Sequence, residues 1–166
     1  MTNYEMSSQP QEIERKFLAN LSLLEGSPDD YEYTAIRQGY LVIGDDGSEA
    51  RLRDKAGKYT LTVKTKGDLV RGEWETEVDE SQFEILWPAT EGKRVEKTRF
   101  KIPYGEHVIE LDIYEGQLDG LVTAEIEFES MQAAQQFVPP EWLGKDVTQE
   151  SSFKNQNLAC EGVPNE

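Results

Sequence analysis

The sequence predicts a mainly β chain of the α+β kind: a closed antiparallel barrel of about eight strands with helices packed outside. Three observations carry this prediction. Eight segments alternate polar and apolar side chains with a period of two, as strands with two unlike faces do. Turn signals stand between neighbours at Gly44-Asp45-Asp46-Gly47, Ala56-Gly57, Lys66-Gly67-Asp68 and Pro103-Tyr104-Gly105, as in a meander. The charges are also sorted by strand, with bases on some and acids on others.

The elements follow in chain order. Residues 1–10 are polar and read as a frayed end. Strands are expected over 12–19, 34–43, 49–54, 59–66, 70–78, 94–102, 108–114 and 122–128. A helix over 81–87 follows Asp79, gathers Phe83, Leu86 and Trp87 on one side, and stops at Pro88. Ser130 caps a second helix that reaches Phe137, with Met131, Ala134 and Phe137 or Val138 on one face; Pro139-Pro140 ends it. Residues 147–160 are expected to form a terminal helix with a thin apolar stripe. No repeat is visible, and 166 residues suit one domain over 1–166.

Composition narrows the partners. A net charge of −16 repels nucleic acid and anionic membranes. Any bound anion therefore needs a local pocket whose sign opposes the whole. No apolar run is long enough to span a bilayer, and no signal-peptide pattern is present. Cys160 is the only cysteine, so no internal disulfide forms and a cytoplasmic location is expected. His107 is the only histidine, which excludes a histidine- or cysteine-rich zinc site and leaves carboxylates as ligands for a hard cation. Monomer and homodimer both stay open.

Sorting the strand side chains gives one charged and one aliphatic face. The charged face collects Glu12, Glu14 and Lys16; Arg51 and Arg53; Lys64 and Lys66; Arg71, Glu73, Glu75 and Glu77; Lys97, Arg99 and Lys101; Glu110, Asp112 and Tyr114; Glu125, Glu127 and Glu129. The other carries Ile13, Phe17, Leu52, Leu61, Val63, Trp74, Val78, Ile109, Leu111, Ile113, Ala124, Ile126 and Phe128. A barrel closes either with the aliphatic face inside or with the charges inside and helices over an apolar exterior. Segregated signs and amphipathic helices that need an apolar sheet face favour the second closure.

The residues at this point resemble the CYTH domain, or triphosphate tunnel metalloenzyme, family. EIERKFL (12–18) is similar to the family's ExExK signature. RQGYL (37–41), ARLR (50–53), LTVKTKG (61–67), RGEWE (71–75), VEKTR (95–99), ELD (110–112) and EIEFE (125–129) follow in the family's order. FEILWPATEGKRVEKTR resembles the short bacterial members with inorganic triphosphatase activity. The resemblance implies a barrel with a charged lumen and metal-dependent hydrolysis of inorganic tripolyphosphate to pyrophosphate and phosphate. Its alternatives are a class IV adenylyl cyclase, a thiamine or nucleoside triphosphatase, and a non-catalytic polyphosphate-binding module.

The same resemblance assigns roles. Lys16, Arg51, Arg53, Lys64, Arg71, Lys97 and Arg99 would grip phosphate oxygens, arginine in pairs and lysine as a point charge. Glu12, Glu14 and Glu125 would hold Mg²⁺ or Mn²⁺, and Glu110, Asp112 and Glu127 a second ion or the attacking water. Lys16 and Tyr40 would form a pair that favours tripolyphosphate, and with Glu127 they make up the expected catalytic set. Lys154 is expected at the surface, and His107 is expected to be structural or exposed.

Overall fold

The computed structural model describes residues 13–65 and 72–165. Nine strands form one sheet: β1 (Ile13–Ala19), β2 (Glu32–Ile43), β3 (Glu49–Lys55), β4 (Lys58–Lys64), β5 (Glu73–Glu77), β6 (Arg94–Tyr104), β7 (His107–Glu115), β8 (Val122–Phe128) and β9 (Leu143–Asp146). Their order is β5-β4-β3-β2-β6-β7-β8-β1-β9, with every neighbouring pair antiparallel. The expected strands are present with shifted ends. The segment at 70–78 is strand only over Glu73–Glu77. The turn at Lys66-Gly67-Asp68 lies outside the described residues.

Two expectations need correction. A closed barrel does not form by hydrogen bonding among the described residues: the ladder runs from β5 to β9 without joining them. The reason is an unexpected strand, β9, which pairs with the edge of β1 opposite β8. Residues 147–160 are also not one helix. Val147 donates its N–H to Lys16 O at 2.8 Å, and Lys16 N–H donates to Thr148 Oγ1 at 3.0 Å. This pairing with β1 holds the segment's start extended. A 3-10 turn (Ser151–Phe153) follows, and helix α3 covers only Asn155–Glu161.

The aliphatic face is outside and covered. Helix α1 (Glu80–Leu86) opens on a reciprocal cap: Asp79 accepts from Gln82 N–H, and Gln82 accepts from Asp79 N–H. Its Phe83 stacks on Trp87 at 5.2 Å and packs in one cluster with Leu52. Pro88 does not end the path; it fits the first turn of a 3-10 helix over Trp87–Thr90, where its missing N–H is not needed. Gly39 lets that turn close on β2, since a Cβ there would meet the Thr90 side chain at 2.5 Å.

Helix α2 (Met131–Gln136) is capped by Ser130, as expected. Ala134 and the adjoining Phe137 pack with Phe17, Ile109, Leu111, Ala124, Ile126 and Phe128. Met131 and Val138, expected on that face, are exposed. The helix has six residues, so its contact with the sheet rests on the turn around Ala134. His107 is structural: its ring meets Phe128 and Phe137 edge-on at 5.2 and 5.3 Å. No helix among the described residues is long and apolar enough to cross a membrane.

Candidate active site

With the aliphatic face covered, the charged face must turn inward. Side chains from β1 through β8 line one cavity of about 660 Å³. The sheet therefore curls around that space even though its edges do not pair. The charged lumen is present; among the described residues the closed hydrogen-bonded cylinder is not.

One end of the cavity is apolar. Tyr40, Val95 and Tyr114 continue the period-two faces of Gln38, Lys97 and Asp112, and they pack with Val147, Phe153, Leu158 and Ala159 from the C-terminal segment. Polar ties hold that segment. Lys16 Nζ donates to Phe153 O at 2.6 Å, Gln156 Nε2 to Glu49 Oε2 at 3.2 Å, and Gln117 Nε2 to Ala159 O at 2.7 Å. Asn155, beside this plug, lines the cavity, and its buried Oδ1 finds no hydrogen-bond donor among the described residues.

The β6–β7–β8 wall is neutralised from within. Arg99 lies between three carboxylates: Glu110 at 2.7 Å, Asp112 at 2.7 Å and Glu125 at 3.1 Å. Asp112, fully buried, also accepts from Lys97 Nζ at 2.7 Å. Burial alone would raise the Asp112 pKa; the Arg99 hydrogen bond and the Lys97 and Arg99 charges outweigh it and hold the carboxyl below its ordinary range. Burial would lower the Arg99 pKa, yet Asp112, Glu125 and Glu110 raise it.

The β3 wall is different. Arg51 has one carboxylate, Glu49, at 3.5 Å, and its Nε is buried without a partner. Arg53 has no carboxylate within ion-pair distance among the described residues, and its buried Nε is likewise unpartnered. Burial, followed by the charges of Arg99 and Arg51, lowers its pKa. Lys64 and Lys55 line the same space. A buried cation without a counter-charge is costly, and an anion in the cavity would relieve that cost.

Acids face one another on the remaining strands. Register sets Glu14 opposite Glu127 and Glu110 opposite Glu125. Like charges directly opposite destabilise a sheet unless a cation lies between them. Arg99 is that cation for Glu110 and Glu125. Carboxylate oxygens are the donors a hard divalent cation takes, so Glu14 and Glu127 suit Mg²⁺ or Mn²⁺ in type. Among the described residues, no three acids are gathered as a ready ligand cluster.

The structure thus brings together Glu14, Arg51, Arg53, Lys64, Lys97, Arg99, Glu110, Glu125 and Glu127 around one cavity. Glu12 and Arg71 lie outside the described residues. Both oxygens of Asp112, expected at a second ion or the attacking water, accept from Lys97 or Arg99. Lys16 and Tyr40 do not form a hydrogen-bonded pair. Lys16 serves Phe153 O and Glu125, while the Tyr40 hydroxyl accepts from Gln38 Nε2 at 3.1 Å. Tyr40 is also buried in the plug, with its hydroxyl beside Gln38 and Arg51 of the cavity wall. Burial pushes the Lys16 ammonium down, against the opposing pull of Glu125. Lys154 is exposed, as expected. The sequence reading missed Lys55, Gln38 and Asn155. Lys55 was within reach, since it continues the Arg51-Arg53 alternation by one step.

A curled antiparallel sheet with a polyanion-sized basic wall and facing carboxylates defines a class of small anion-handling tunnel proteins. The chain belongs to the CYTH domain family, whose model matches residues 10–157. It is 47% identical over 151 residues to an inorganic triphosphatase of Nitrosomonas europaea, covering 89% of this chain and 96% of that one. It is 36% identical over 153 residues to an inorganic triphosphatase of Acetivibrio thermocellus, covering 89% and 92%. The crystal structure of the inorganic triphosphatase NE1496 superposes with a TM-score of 0.79 at 41% identity, covering 95% of this chain and 99% of that one.

Proposed function

We propose that the protein is a divalent-metal-dependent hydrolase that cleaves inorganic tripolyphosphate to pyrophosphate and phosphate. The observation that carries this is Arg53, a half-buried guanidinium whose Nε has no partner among the described residues, lining a polar cavity with its strand neighbour Arg51 and with Arg99. The activity for which relatives that match nearly the whole chain are named supports it.

Each residue then has a task. Arg51, Arg53 and Lys64 bind phosphate oxygens, with Arg71 as a further candidate, and their charges replace the water stripped from the substrate. Asp112 aims Lys97 and Arg99 at the chain and raises the pKa of Arg99. Lys16 backs the closed end, where its charge bears on the phosphoryl group seated against the plug. Glu14 and Glu127, with Glu12 and Glu125, would hold the Mg²⁺ or Mn²⁺, which would supply charge neutralisation and a more acidic water. Water attacks a terminal phosphorus, the bridging P–O bond breaks, and its electron pair leaves with pyrophosphate. Glu127, exposed to the cavity, accepts the water's proton.

A substrate panel tests this: tripolyphosphate, pyrophosphate, ATP and thiamine triphosphate, each with Mg²⁺, with Mn²⁺ and with chelator. The expected result is phosphate release from tripolyphosphate well above the others, abolished by chelator. Faster formation of cyclic AMP, faster release from thiamine triphosphate, or binding without turnover would each replace the proposal with the corresponding rival.

A further inference from the structure

We propose that Lys55 is a specificity-determining residue that reads a free terminal phosphate and so separates inorganic tripolyphosphate from organic triphosphate esters. The proposal rests on the triphosphatase reading above and names a residue of the same cavity. Along β3 the inward side chains run Glu49, Arg51, Arg53, Lys55. Glu49 is tied to Gln156 of the C-terminal segment, so the row begins at the plug and leads away from it. Successive inward residues are about 6.8 Å apart along a strand. The three cations therefore form a ladder of three rungs from the closed end outward. A tripolyphosphate is shorter than this row, and the long arginine and lysine side chains can converge on it.

The plug decides the orientation of any ligand. Among the described residues, Tyr40, Val95, Tyr114, Phe153 and Leu158 fill that end with packed side chains. A nucleoside or thiamine group must consequently sit at the other end, beside Lys55. There an ester presents a phosphate that has given one oxygen to carbon and carries less charge. Inorganic tripolyphosphate presents a free terminal phosphate at the same place.

Lys55 is available for this contact. It lines the cavity, and no carboxylate is within ion-pair distance of it among the described residues. Its neighbours are mostly cationic: Arg53, Arg99 and Lys101 bear on it, with Glu110 as the opposing charge. An anion at the outer rung is therefore favoured by several charges at once. In a protein of net charge −16, such a site has to be built locally.

The test measures kcat and KM for tripolyphosphate and ATP in the parent, Lys55→Gln and Lys55→Arg, at fixed metal and ionic strength. Lys55→Gln should raise KM for tripolyphosphate about tenfold, the scale of one charge-assisted contact. It should leave kcat near the parent's and change KM for ATP by less than about twofold. Lys55→Arg should restore the tripolyphosphate KM. Equal changes for both substrates, or none, overturn the proposal. A second readout needs no turnover: the rise in melting temperature caused by tripolyphosphate under chelator should shrink in Lys55→Gln while that caused by ATP does not. If the parent binds tripolyphosphate without cleaving it, the hydrolase reading fails and this comparison still decides Lys55. If neither ligand shifts the parent's melting temperature, the role of Lys55 is refuted as well.

Discussion

Arg99 and Arg53 occupy the same cavity and live in opposite circumstances. Arg99 is held by three carboxylates, and its proton is bound more tightly than in water. Arg53 has none of them in reach among the described residues, and its proton is bound less tightly. The β6–β7–β8 wall is thus complete without ligand, and the β3 wall is not. One wall supplies rigidity and orientation. The other stores repulsion that a polyanion releases. The difference teaches that an inward-facing base on a tunnel strand is not by itself a phosphate ligand; its carboxylate neighbours decide whether it is framework or receptor.

The largest expected effect comes from breaking the completed wall. Asp112→Asn keeps the shape and removes the charge that Lys97 and Arg99 share. Leaving buried Lys97 without its carboxylate, and Arg99 with two of its three, should lower unfolding stability by about 3–5 kcal/mol in urea titrations, with loss of turnover. The pH dependence has a definite sign. The folded pKa of Asp112 is depressed, so its contribution is fully present above the unfolded value of about 3.9 and is lost as pH falls through the folded value. The parent should therefore lose stability in that acid window, and the variant should lack this part of the loss. A parent-like acid limb in Asp112→Asn would contradict the assignment.

Breaking the incomplete wall should look different. Arg53→Ala should cost turnover on tripolyphosphate roughly 10²–10³-fold, the scale of one lost preorganised donor. The ligand-free melting temperature should hold or rise, because an uncompensated charge is gone. Tripolyphosphate should stabilise the parent by about 2.7 kcal/mol at a hundredfold excess over Kd, and Arg53→Ala less. A variant with parental turnover and parental ligand response would place Arg53 with the framework.

Glu127→Gln sharpens the comparison on the acidic side. It removes one charge of the facing Glu14–Glu127 pair and leaves the Arg99 node intact. The metal concentration for half-maximal turnover should rise about tenfold, on the order of one lost carboxylate ligand. An unchanged metal titration would remove Glu127 from the ligand set. The smallest effect belongs to the plug. Tyr40→Phe loses the hydrogen bond from Gln38 and keeps the ring, so stability should fall by about 1 kcal/mol and preference for tripolyphosphate over ATP should stay. A collapse of that preference would return Tyr40 to the substrate's side of the wall.

Much of this contrast was visible before any fold was known. The alternation in β3, β6, β7 and β8 follows from side chains pointing to opposite faces at successive residues, which holds whatever the partners are. The acids of EIEFE and the bases of ARLR were therefore assignable to one face from the sequence alone. Expected strand ends were less secure. Ending β3 at Asp54 hid Lys55, because the hairpin at Ala56-Gly57 extends the pairing one residue further. The C-terminal segment misled for a related reason. Its helical pattern over 147–160 competes with backbone pairing to β1, and that pairing depends on a strand more than 100 residues away.

By itself, the sequence determined the two unlike faces, the helix caps at Asp79 and Ser130, and the local basic pocket inside an acidic protein. These depend on local geometry and on composition. Only the tertiary structure decided that β9 takes the edge of β1, that Tyr40 belongs to a plug, and that Asp112 pairs with two cations. Those outcomes depend on register and on distances between strands far apart in the chain. A carboxylate can face either a base or another acid there, and nothing in the spacing of residues along one strand states which.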